Sequence, residues 1–150
     1  MSATNYSLYS WFVGIGVHWQ AIFLSKRSKE MPFFDNVAPR DFHSKVRELA
    51  KTSKDAQKFL RLEAAQANIY ENLGWYAGAV VAGTVARLPA RYMNWFAGTY
   101  IASRVAYAYI YAVNTRKLSY LRSLTFLISV MFTTATYVKA GNAFNKVALY

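Results

Sequence analysis

Glu71, Arg104 and Arg122 are the residues on which chemistry could turn, because each sits in or at the edge of an apolar stretch. Even on a lenient insertion scale, an ionised side chain at the centre of a membrane helix costs about 2.5–3.5 kcal/mol, and such residues usually mark a site. Glu71 is the last acid in the chain, since residues 72–150 contain no Asp or Glu. A carboxylate can hold a ligand ammonium group or pair with an arginine. A guanidinium offers paired donors to a ligand carboxylate, or steadies a thiolate or other anion. One carboxylate with two arginines suits a small zwitterionic or polyanionic ligand beside an apolar co-substrate. The same residues would also serve as an internal ion pair, Glu71 with Arg104 or Arg122, that only pins helices together.

Helical spacing groups further polar residues around these three. Asn68, Glu71 and Asn72 are three and four apart and share one helix face. Arg104, Tyr107 and Tyr111 follow at i, i+3 and i+7. Ser119, Arg122, Thr125 or Phe126, and Ser129 repeat at the same pitch, with Thr133 and Thr136 continuing the stripe. Three segments therefore each present a polar face, and two of those faces carry an arginine.

The elements that must position these faces read as membrane spans. Apolar windows run over about 6–24, 64–86, 92–113 and 118–138, each near the ~20 residues that a helix needs to cross a hydrocarbon core. Lipid offers no partner for backbone polar groups, so helices are the expected form. Charge is concentrated between the first two windows: residues 26–63 hold ten of the eighteen Lys and Arg and six of the seven acids. The expectation is a single all-α integral membrane domain over residues 1–150, a four-transmembrane-helix bundle with a polar loop over about 26–50. That loop contains Pro32 and Pro39. From Arg40 onward the pattern turns helical, and the second helix is expected to begin in water, near Asp41 or Asp55, before entering the membrane. Positive charge after the first window (Lys26, Arg27, Lys29) and in the third link (Arg116, Lys117) places those loops in the cytosol and both termini on the other side. In the second window Gly74-x-x-x-Gly78 and Ala79-x-x-x-Gly83 permit close helix packing or oligomerisation.

Several function classes are excluded or disfavoured. The chain has no cysteine, so it has neither a disulfide framework nor a thiol of its own. With two histidines, His18 in the first window and His43 in the charged loop, no metal-ligand spacing exists. No Ser-His-Asp arrangement, phosphate-binding Gly loop or dinucleotide fingerprint is present. The formal charge of +11 flanks apolar spans, which points to topology and anionic lipid headgroups rather than nucleic acid.

Three stretches resemble one family, the membrane-associated proteins in eicosanoid and glutathione metabolism, or MAPEG. They are Arg61…Ala65-Gln66-Ala67-Asn68…Glu71 at the entrance of the second helix, Arg104-Val105-Ala106-Tyr107…Tyr111 in the third, and Leu121-Arg122-Ser123 opening the fourth. The likeness spans roughly 36–141 and is strongest to the glutathione transferase and prostaglandin E synthase branches. It implies a homotrimer in the endoplasmic reticulum with glutathione bound between subunits on the cytosolic side. Glu71 would lie near the glutathione ammonium group, with Arg61, Gln66, Asn68 and Asn72 on the second helix and Arg104, Tyr107 and Tyr111 on the third as further binding groups. Arg122, with Ser123 beside it, would hold the thiolate for attack on a lipophilic electrophile, giving a transferase or isomerase. The chain departs from the family pattern at Ala64, where an Arg is usual, at Tyr107, where some members have His, and at Asn72. Two other readings keep the same pocket: a glutathione-independent enzyme acting on a lipophilic biosynthetic intermediate, and a non-catalytic lipid-binding scaffold.

Overall fold

A computed structural model describes residues 3–12, 16, 19, 37, 39–113 and 118–147. Among these the chain is all-helical, with α1 at Pro39–Leu49, α2 at Lys54–Val85, α3 at Ala90–Val113 and α4 at Ser119–Val147. Residues 10–12 are also helical and fall in the first expected span. Most of that span, His18, the basic stretch after it, Pro32, and the Arg116–Lys117 link lie outside the described residues.

The polar loop ends in a helix. Phe42 and Val46, four apart on α1, are buried against Ala56 and Phe59 of α2, while Arg40, Lys45 and Arg47 face outward. The chain then turns, and Ser53 caps α2 by accepting a hydrogen bond from the Ala56 amide at 3.3 Å. This cap, with Asp55 in the first turn, fixes the start of α2 at the second of the two expected positions and leaves the Asp41 segment as a separate helix. At 32 residues α2 is about 48 Å long, against a hydrocarbon core of about 30 Å.

A tight turn reverses the chain after α2. The Leu88 amide donates to Gly83 O at 2.9 Å and the Arg87 amide to Thr84 O at 3.0 Å, which is the paired-bond ending that satisfies the last helical carbonyls. The residue at its left-handed position is usually glycine, but here it is Arg87, with φ 54°. Pro89 follows, and α3 runs back along α2.

α2, α3 and α4 pack against one another in all three pairs, and α1 packs on α2. Towards the Arg87 turn the core is Leu73, Tyr76, Val80, Met93, Phe96 and Tyr100, with the Tyr76 and Tyr100 rings stacked 3.8 Å apart. Towards the other end it is Ala65, Ile69, Tyr107 and Ala108. The expected small-residue packing is partly within the chain. A Cβ at Gly78 would overlap the Tyr137 hydroxyl of α4, and one at Gly83 would overlap the Met93 sulfur of α3, whereas Gly74 faces open space. The N-terminal segment is tied to the turn end: Asn94 Oδ1 accepts from the Tyr6 amide and its Nδ2 donates to Thr4 O, both at 2.7 Å. Ser10 is hydrogen-bonded to Tyr76.

Among the described residues one helix, Ser119–Lys146, is long and apolar enough to cross a membrane. It extends beyond the window expected at 118–138. α3 is as long as a span requires, but Arg91, Asn94, Arg104 and five tyrosines lower its hydropathy. α2 carries Asn68, Glu71 and Asn72 in its middle.

Candidate functional site

The expected polar faces of α2, α3 and α4 meet at Arg104. Its side chain is 2% exposed. Nη1 donates to Asn68 Oδ1 of α2 at 3.2 Å, and Nη2 donates to Ser129 Oγ of α4. Both acceptors are neutral. The Ser129 hydroxyl donates its own proton to Phe126 O at 2.6 Å, so a lone pair is left to face the guanidinium. The Arg104 Nε is buried with no hydrogen-bond partner among the described residues.

Aromatic rings complete the cradle. The Arg104 guanidinium carbon lies 5.2 Å from the Tyr100 ring, 5.8 Å from Tyr107 and 5.2 Å from Phe126. Tyr107 contacts Tyr111, ring centroids 5.5 Å apart, and Tyr111 lies under Arg122 at 4.7 Å. The spacing Arg104, Tyr107, Tyr111 thus becomes a physical run along α3 that connects the two arginines. Ring faces attract cations without neutralising them, so the guanidinium keeps its positive charge inside the cradle.

The acid stands apart from the arginines. Glu71 is exposed on the flank of α2. The ion pairs among the described residues are His43–Glu63 at 3.4 Å and Lys51–Glu48. The internal pair of Glu71 with Arg104 or Arg122 is therefore not formed. Asn68, three residues before Glu71, reaches Arg104, so the exposed carboxylate stands near the cluster but outside its interior.

The other expected site residues divide. Asn72 is half-buried, donates to Asn68 O at 2.7 Å, and receives the Tyr100 hydroxyl on its own carbonyl at 3.4 Å. Gln66 is half-buried on α2. Arg61 is half-buried with its Nε buried and unpartnered. Ser123 is exposed, and its hydroxyl bonds back to Ser119 O at 3.4 Å, so it is not drawn into the Arg104 cluster. Sequence reasoning missed Tyr100, although it lies four residues before Arg104 and so on the same face.

Among the described residues this geometry holds a buried cation without an ionic partner between two neighbouring helices, a second arginine along an aromatic run, and an exposed carboxylate on the flank without an ion pair. These groups carry both signs of charge on adjoining helices, the complement of a zwitterionic ligand. In comparisons with known proteins, the family model described as the MAPEG family matches residues 6–142. No curated protein and no solved structure matches the chain.

Proposed function

Because this chain belongs to the MAPEG family, a membrane family that includes glutathione transferases and isomerases as well as non-catalytic members, we propose that it is a membrane-embedded, glutathione-dependent transferase or isomerase acting on a lipophilic substrate. The observation that carries this reading is the buried Arg104, held by neutral Asn68 and Ser129 with no carboxylate against it among the described residues. A guanidinium that is neither solvated nor paired is expensive. A ligand carboxylate would supply the missing charge.

In this reading one domain over residues 1–150 crosses the endoplasmic reticulum membrane four times, with both termini on the non-cytosolic side. Three copies assemble with glutathione between neighbours. The exposure of Glu71 on a single chain supports that arrangement, because a carboxylate on the flank of one subunit can face a ligand shared with the next. Glu71 takes the ammonium group. Asn68, Gln66, Arg104, Tyr107 and Tyr111 hold the peptide, with Arg61 and Asn72 completing the α2 edge. Arg122, with Ser123 next to it, faces the sulfur. A nearby cation favours the thiolate, which is the reactive form. Bound glutathione would supply the thiolate nucleophile for an electrophilic carbon. A leaving group released with its electron pair would give a conjugate; one that stays tethered to the same molecule would allow the S–C bond to break again, its electron pair returning to sulfur, for an isomerisation.

The test is equilibrium binding of glutathione to the detergent-purified protein. Saturable binding that Glu71→Gln abolishes is expected, and Arg122→Ala is expected to bind yet fail to conjugate an aryl halide. Absence of binding at millimolar glutathione would refute the proposal. That result would favour the glutathione-independent reading, to which the uncharged Ala64, exposed on the same helix as Glu71, already lends weight. Conjugation that survives Arg122→Ala would remove Arg122 from the catalytic role.

A further inference from the structure

The turn between α2 and α3 carries basic residues and no acid. Arg87 holds the left-handed position of the turn with φ 54°, where glycine would incur no steric cost. Arg91 is exposed in the first turn of α3, a turn with no acid, so its charge opposes the positive end of the helix dipole. Lys139 of α4 is exposed and lies 4.3 Å over the Tyr92 ring. The ring is itself held by a 2.9 Å hydrogen bond between the Tyr92 hydroxyl and Thr136. Among the described residues none of these three cations has a carboxylate partner, and residues 72–150 contain no acid to supply one.

Three cations thus lie at this end of the bundle: Arg87 in the turn, Arg91 next to Tyr92 in sequence, and Lys139 over the Tyr92 ring. A bound anion would offset the opposition of Arg91 to the helix dipole and would give the backbone cost of placing Arg87 in the turn a return in binding. We propose that this turn is a docking site for the phosphate of an anionic phospholipid in the leaflet opposite the basic loop. The inference rests on the four-span reading above, which puts the α2–α3 turn at a membrane surface. The exposed apolar side chains Val81, Val85 and Trp95 on the adjoining turns of α2 and α3 would lie alongside the acyl chains, and that is why a lipid rather than free phosphate is the occupant.

The test measures thermal stabilisation of the detergent-purified full chain on titration with phosphatidylglycerol or with phosphatidylcholine. The anionic lipid is expected to bind more tightly, with about fivefold loss of affinity for each of Arg87→Gly, Arg91→Gln and Lys139→Gln, and little loss for Arg87→Lys. Arg87→Gly is diagnostic because it relieves the turn. Without lipid it should raise the melting temperature by about 2–4 °C, while weakening lipid binding. Equal affinity for both lipids, loss only with Lys54→Gln and Lys58→Gln on α2, or equal stabilisation by inorganic phosphate would each overturn the proposal. The chain has no cysteine, so an Arg91→Cys variant in vesicles reports topology with an impermeant maleimide. If the site labels and the lipid preference is absent, this inference fails alone. If the site does not label in intact or opened vesicles, the four-span reading fails with it.

Discussion

Replacing Gly78 by alanine should destabilise the protein, and the sign of that effect should reverse when Tyr137 is changed to phenylalanine. In a helix interior Gly→Ala normally gains about 1 kcal/mol. Here the added Cβ would overlap the Tyr137 hydroxyl, with the ring carbon that bears it 3.5 Å away. Tyr137 must then move, giving up its 3.1 Å hydrogen bond to Trp75 O, worth about 1 kcal/mol. Displacing a ring in a packed contact adds about 1–3 kcal/mol. The net change for Gly78→Ala is therefore a loss of about 1–3 kcal/mol once the propensity gain of about 1 is set against these costs. Tyr137→Phe alone forfeits the hydrogen bond, about 1 kcal/mol. In that background the overlapping atom is gone, so Gly78→Ala should regain its usual benefit of about 1 kcal/mol. The coupling between the two sites is then about 2–4 kcal/mol, read from a double-mutant cycle of denaturation in detergent. A coupling near zero would refute the notch. It would return Gly78 to the other role expected for such residues, contact between subunits.

Two further outcomes follow from single contacts. Ser129→Ala removes one of the two hydrogen-bond acceptors of Arg104; if the proposed function holds, it should weaken glutathione binding about tenfold, and an unchanged dissociation constant would show that Ser129 does not position the arginine. Ser53→Ala deletes the cap of α2 and should cost about 1 kcal/mol, seen as faster hydrogen exchange at the Lys54–Gln57 amides while the Arg87 turn is unaffected.

The parts of this molecule that sequence made legible are those in which a short-range rule decides the outcome. The run Arg104, Tyr107, Tyr111 could be read because residues three and four apart must share a helix face. The face is indeed continuous, from Arg104 to the ring beneath Arg122. The start of α2 was narrowed to two acids, and the choice between them was made by Ser53, whose cap became visible only with the backbone in place. What periodicity cannot supply is rotation of one helix against another. Asn68 and Glu71 share a face by spacing, yet Asn68 points to Arg104 while Glu71 stays on the flank. A turn of α2 by a few tens of degrees would have exchanged their roles. For the same reason Gly78 and Gly74 look alike in sequence, although one receives a tyrosine and the other meets nothing. The apolar window over α4 ends near Val138, whereas the helix continues through Lys139, Asn142 and Lys146. Backbone hydrogen bonding does not stop where hydrophobicity does.

The Asn94 clamp bears on the order in which the chain can assemble during synthesis. Its amide meets the backbone of Thr4 and Tyr6 as a neighbouring peptide group would, one acceptor and one donor, across sequence separations of 88 and 90 residues. The Thr4–Tyr6 segment can reach Tyr76 through Ser10 earlier, but this clamp cannot close until Asn94 has been made. At ~5–20 residues per second that wait is on the order of 5–20 seconds. During it the segment can be held only by α2, through Ser10–Tyr76 and Asn5–Thr84, and not by α3. A translational pause placed before residue 94 would prolong this wait. An Asn94→Leu chain, unable to close the clamp, should be cleared by quality control more readily than its modest loss of contacts would suggest.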